Sequence, residues 1–139
     1  MFSKILCAND GSDRAFRALE LAITIANEHN SELHMVSVEE IDYLPEFIEE
    51  IREEVRTAAR RYQTVIKRAR GMAENRHVTL HTHVLAGHPV RDIVELAAEL
   101  KADLLVVGSA GHSELYERML GSRADRLAHL APCPVLVVP

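Results

Sequence analysis

Apolar and polar positions along the chain follow two interleaved rhythms. Short apolar runs occupy Ile5-Leu6-Cys7-Ala8, Leu33-His34-Met35-Val36-Ser37-Val38, Leu104-Leu105-Val106-Val107 and Val135-Leu136-Val137-Val138. The first, third and fourth are almost continuous, as in parallel strands buried on both faces. A fifth run, Val78 to Leu85, alternates in the manner of a strand nearer an edge. Between the runs the spacing turns helical. Ala15, Ala18, Leu19, Ala22, Ile23 and Ala26 share one helical face behind a cap at Ser12 or Asp13. Ile93, Leu96, Ala97 and Leu100 form a second stripe behind Pro89, which suits a first helical turn. Ser122-Arg123-Ala124-Asp125 reads as a capping box ahead of Leu127, Ala128 and Leu130.

The longest stripe starts near Pro45 and places Ile48, Ile51, Val55, Ala58, Tyr62, Val65, Ala69 and Met72 at steps of three and four. A coiled-coil seam and a long helix lying on a sheet both fit it. The sheet cover is favoured, because Ala58 and Ala69 are small and a lone sheet needs a partner layer. The Glu- and Arg-rich remainder is then the solvated face. The element order is β-α-β-α-β-α-β-α-β, which predicts an α/β parallel sheet with helices on both faces. Ligands of such sheets bind beyond the carboxyl ends of the strands, where the strand order reverses.

Composition narrows the class without changing the fold. A chain of 139 residues forms one domain, 1–139, with room for a single core. A net charge of −5 offers no footprint for nucleic acid. No apolar run reaches the roughly 18–20 residues that span a bilayer, and no signal-peptide pattern opens the sequence. Cys7 and Cys133 build neither a disulfide scaffold nor a CxxC site. A soluble, cytoplasmic protein without membrane insertion is expected.

The chemistry gathers after the fourth strand, where Gly108, Gly111 and Gly121 precede a helix opening at Ser122. Glycine lets main-chain N–H groups approach and converge on one anion, and a helix N-terminus adds free donors and partial positive charge. Polyphosphate suits that arrangement; the same glycines also serve as plain turns. The spacing G-x2-G-x9-G-[S/T] resembles the ATP-binding signature of the universal stress protein family. So do Ile5-Leu6-Cys7-Ala8-Asn9-Asp10-Gly11-Ser12, Gly87-His88-Pro89, Ala102 to Ser109 and the closing Ala131 to Val138.

The resemblance implies a Rossmann-like sheet of strand order 3-2-1-4-5, which puts Asp10 and Gly108 in one crevice. It implies that Asn9 and Asp10 lie against the nucleoside of ATP and that Val38 pairs through its backbone with adenine. Gly108, Gly111, Gly121 and Ser122 would cradle ribose and phosphates, with the Arg123 amide as a further donor. Arg123 stands where the family commonly has a small apolar residue, and its guanidinium suits phosphate oxygens. His112, inside the glycine loop, faces either phosphate or solvent. Glu114, where relatives often carry Gly, would call for Mg²⁺ beside a triphosphate. The resemblance also suggests a homodimer joined through Val135, Leu136, Val137 and Val138, regulated by ATP rather than catalytic.

Other constellations fall away. There is no G-x4-G-K-[ST] and no G-x-G-x-x-G after the first strand. His81 and His83 share a strand face with His77 close by, but spacing supplies no third metal ligand, so no metal site is expected. No catalytic triad is legible. Two other functions compete with the binding module. One is a slow ATP hydrolase, for which only His112, Asp10 or Glu114 would position water. The other is a nucleotide-free scaffold with the glycines as turns.

Overall fold

A computed structural model describes residues 1–41, 47–109 and 121–139. The elements follow in the order β1 (Lys4–Ala8), α1 (Asp13–His29), β2 (Glu32–Glu40), α2 (Ile48–Arg61), α3 (Gln63–Glu74), β3 (Leu80–Gly87), α4 (Pro89–Leu100), β4 (Leu104–Gly108), α5 (Ser122–Leu130) and β5 (Val135–Val138). All strand pairings are parallel, and the sheet order is β3-β2-β1-β4-β5. The α/β fold and its strand order therefore stand as expected. The chain winds outward from β1 through β2 to β3, then crosses to β4 and winds outward again to β5.

Strand alternation splits the core into two layers. Ile5, Cys7, Leu33, Met35, Leu104 and Val106 face α1 and α3, meeting Phe16, Leu19, Ile23, Ala69 and Ala73. Leu6, Val36, Leu105 and Val107 face the other way, onto Val90, Ile93, Leu96 and Ala97 of α4 and Ala124 and Leu127 of α5. The central strands are buried on both faces, which is why β1 and β4 read as unbroken apolar runs. Burial also pushes the Cys7 thiol up to about 12 and keeps it a protonated packing residue.

Three expectations need correction. The alternating strand runs Leu80–Gly87 rather than Val78 to Leu85, although it does lie at the sheet edge. The long stripe is two helices, not one. At Tyr62 (φ −93°, ψ 4°) the backbone leaves helical geometry, and α3 begins one residue later. Only its lower part packs inward: Ala58, Tyr62 and Ala69 are buried, whereas Ile48, Ile51 and Val55 are exposed. The expected start at Pro45 lies outside the described residues. Finally, Ser122 does not cap α5. Gly121 occupies the N-cap position with no side-chain hydrogen bond, and Ser122 is the first helical residue.

Candidate functional site

The order β2-β1-β4 makes the gap between the carboxyl ends of β1 and β4 the place where the winding reverses. Chain and helix ends crowd that gap. After β1, the Asn9 amide donates to the Val36 carbonyl at 2.9 Å, while Ser37 Oγ donates to the Asn9 carbonyl at 2.7 Å. The Asn9 side chain is buried; its Oδ1 accepts from the Gly11 amide at 2.8 Å, and its Nδ2 lies 3.5 Å from the Met35 sulfur. These bonds bend the chain through Gly11, whose φ of +89° suits glycine. Asp10 sits on the outside of the bend, exposed, with Oδ1 accepting from the Ser12 amide at 2.9 Å. Ser12 then caps α1, its hydroxyl accepting from the Ala15 amide at 3.2 Å.

Gly108 is where α1 comes closest to β4. A Cβ there would stand 3.1 Å from the Arg14 carbonyl carbon and 3.2 Å from the Ala15 nitrogen, so the first turn of α1 rests on bare backbone. One residue on, the Ser109 carbonyl accepts from the Gly121 amide at 2.6 Å, which docks the N-terminus of α5 beside the same spot. Two helix N-termini thus converge on Gly108-Ser109, and each carries an arginine in its first turn, Arg14 and Arg123. The macrodipole disfavours cations at that position.

Two buried polar atoms in this corner have no hydrogen-bond partner among the described residues: Arg14 Nη1 and Ser109 Oγ. Orphaned groups of this kind cost stability unless something binds them. The first amides of α5 have no intrahelical acceptor either, and no side chain among the described residues caps them. These groups are chemically suited to phosphate or hydroxyl oxygens.

On the β2 side the crevice is bounded by charge. Arg61 pairs with Glu39 at 2.8 Å, and Arg123 pairs with Glu40 across the mouth. The Tyr62 hydroxyl donates to the Val38 carbonyl at 3.3 Å. Burial, with help from Glu39 and Asp10, pushes the Tyr62 phenol above its ordinary value against the pull of Arg61 and Arg123.

The sequence-predicted residues divide accordingly. Asp10, Val38, Gly108, Gly121, Ser122 and Arg123 all lie at the carboxyl end of the sheet or on the helix that opens beside it. Several are already engaged. The Val38 carbonyl accepts from Tyr62, the Gly121 amide bonds Ser109, and the side chain of Asn9 holds the bend. Gly111 and His112, like Glu114, lie outside the described residues. Sequence reasoning passed over Arg14, Tyr62 and the Ser109 hydroxyl. The one signal for Arg14 was electrostatic, a cation in the first turn of a capped helix.

Comparison with known proteins gives one answer. The chain matches the universal stress protein family over residues 1–139. It is 37% identical over 150 residues to universal stress protein YxiE of Bacillus subtilis, covering 99% of each chain. Among solved structures it is similar to the universal stress protein UspA from Lactobacillus plantarum, with a TM-score of 0.81, 26% identity and coverage of 99% and 97%. It also resembles a universal stress protein crystallised in complex with cAMP, with a TM-score of 0.78, 28% identity and coverage of 99% and 97%. Winding order, glycine spacing and whole-length similarity agree, and the chain belongs to the universal stress protein family.

Proposed function

We propose that the chain is a nucleotide-linked regulator of the stress response, acting in the cytoplasm as a homodimer and binding ATP without turning it over. One observation carries the reading: two helix N-termini, each with an arginine in its first turn, meet at Gly108-Ser109 beside unpartnered Arg14 Nη1 and Ser109 Oγ. A bound relative with cAMP supports the same class of guest. In this reading the amides of Ser122 and Arg123, the Ser109 hydroxyl and the Arg14 guanidinium hold phosphate oxygens. Asp10 reaches the sugar from the β1 side. Occupancy favours one dimer or partner-binding state, so the output is a population shift.

The test is to acid-extract the purified protein, identify any nucleotide carried with it, and then titrate nucleotide-free chain with ATP, AMP and cAMP, with and without Mg²⁺. Saturable binding of one ATP per chain in the range of about 1–100 µM is expected. A clean extract together with no heat signal for any of the three overturns the reading and favours the nucleotide-free scaffold. Phosphate release above blank from ATP overturns the non-catalytic part alone.

A further inference from the structure

At the opposite end of the sheet, where β2 and β3 begin, a second set of side chains has no part in the crevice. Parallel register pairs His34 with His81 and Val36 with His83, which puts three imidazoles on the α4 face of neighbouring strands. His34 and His81 stack with centroids 4.7 Å apart, and His34 and His83 with centroids 5.1 Å apart. Glu32, the first residue of β2, completes the group. Its Oε2 lies 3.5 Å from His34 Nε2 and its Oε1 lies 3.8 Å from His81 Nε2.

We infer that Glu32, His34 and His81 form a binding site for a divalent transition-metal cation of the zinc type, with His83 orienting His34. The ligand atoms of the three lie within 4.8 Å of one another. Two ligands at zinc bond lengths in a tetrahedral site stand about 3.4 Å apart, close to the distances already present. Two imidazoles and one carboxylate are donors that zinc accepts, with a fourth position left for water.

The contacts of His34 fit the assignment. His34 Nδ1 and His83 Nε2 are 2.8 Å apart, so one donates and the other accepts. His34 Nε2 is buried without a hydrogen-bond partner, and the residue is only 7% exposed. Glu32 Oε2 stands 3.5 Å from that nitrogen, so Nε2 either turns an N–H toward the carboxylate or shares a cation with it. With the proton on Nδ1, donated to His83, Nε2 is free to take the cation together with Glu32 and His81. That is the arrangement in which a second hydrogen bond fixes a ligating histidine. His81 and Glu32 are 47% and 44% exposed in their side chains, free to tilt onto a cation while His34 stays fixed. Lys4, 3.2 Å from Glu32 Oε2, is the ammonium that the cation displaces.

The test uses tag-free full-length chain, stripped with EDTA and kept free of nucleotide, so its outcome is independent of the crevice. Titration with Zn²⁺ is expected to give one site per chain at about micromolar affinity or tighter. Co²⁺ is expected to give the intense visible absorption of four-coordinate cobalt. His81→Gln and Glu32→Gln, both at exposed positions, should each weaken zinc binding at least tenfold while leaving the circular dichroism unchanged. His83→Gln should weaken it about 10- to 100-fold through the lost hydrogen bond. Absence of saturable zinc binding overturns the proposal. So does unchanged affinity in either His81→Gln or Glu32→Gln, which would place the ion on other surface histidines.

Discussion

Arg14 has a backbone that packs and a side chain that does not finish its bonds. Its carbonyl carbon rests against Gly108, while Nη1 is buried without a partner among the described residues. A buried donor left unpaired costs about 1–3 kcal/mol, and a charge-assisted bond to phosphate recovers more than that. Arg14→Met keeps most of the apolar stem and removes the orphan. Without nucleotide, the variant is expected to melt at or above the wild-type temperature. Its affinity for ATP, by calorimetry, is expected to fall about tenfold. Lower stability with unchanged affinity would show that the guanidinium serves the fold alone. The same residue marks where reading from sequence stops. Asp10, Gly108 and Gly121 are legible because strand ends and glycine spacing punctuate the chain at those points. Whether a guanidinium finds a partner is decided by what packs over it. The cluster around His34 was hidden for a related reason, because its companion His81 arrives through strand register and not through spacing along one segment.

At the scale of elements, patterning located the five strands and the Ser12 cap of α1, but it misplaced the cap of α5 and could not distinguish one long helix from two. A 3-4 stripe continues through Tyr62 as if nothing happened, because buried side chains on both sides of the break keep the same phase. The structure puts the break where the Tyr62 hydroxyl meets the Val38 carbonyl. The exposed start of α2 goes with its place at the sheet edge, where the helix packs mainly against the edge strand β3. Two substitutions on α2 separate its faces. Ile51→Gln, at a position 48% exposed, is expected to change stability by less than about 0.5 kcal/mol in chemical denaturation. Ala58→Leu, at a fully buried position, should cost about 1–3 kcal/mol through overpacking. Equal costs would contradict the division. A different joint ties β4 to β1. Burial pushes the Asp103 carboxyl up, yet the amides of Ser3 and Lys4, donating at 2.8 and 3.0 Å, outweigh burial and hold it below its ordinary value. The folded state thus prefers the charged form. Its contribution is complete above the unfolded value of about 3.9 and disappears as pH falls through the lower folded value. Asp103→Asn should cost about 1 kcal/mol at pH 7, the figure for a charged hydrogen bond reduced for solvent screening. In denaturation at stepped pH, the gap between variant and wild type should close as pH falls through that lowered value. A gap that persists there would mean that the loss is steric.

The whole molecule leaves one edge of its sheet unfinished. β3 closes one side under α2 and α3, whereas β5 ends the other with Val135, Leu136, Val137 and Val138, all half-buried. Val138 and Pro134 turn their carbonyls inward, accepting from Ser109 and Leu105 of the β4 side. Because neighbouring residues of a strand alternate, Val135 and Val137 point their N–H and C=O groups outward, away from β4. An apolar edge with outward amides invites a second strand, and identical edges related by a two-fold axis pair antiparallel. The proposed homodimer follows, with β5 against its twin and one sheet running through both copies. In that arrangement antiparallel pairing puts the two crevices at opposite ends of one shared sheet, and the sheet is the route by which nucleotide in one copy would reach the other. Size-exclusion chromatography with light scattering at micromolar concentration should give twice the 15.6 kDa of the chain. Val137→Pro removes an outward N–H while leaving the bonds to β4 intact, and proline is tolerated on edge strands. It is expected to yield a folded monomer of unchanged circular dichroism. A wild-type chain that runs as a monomer, or a Val137→Pro variant that stays dimeric, would place the contact elsewhere. The first result would also remove the route by which ATP in one subunit biases its partner.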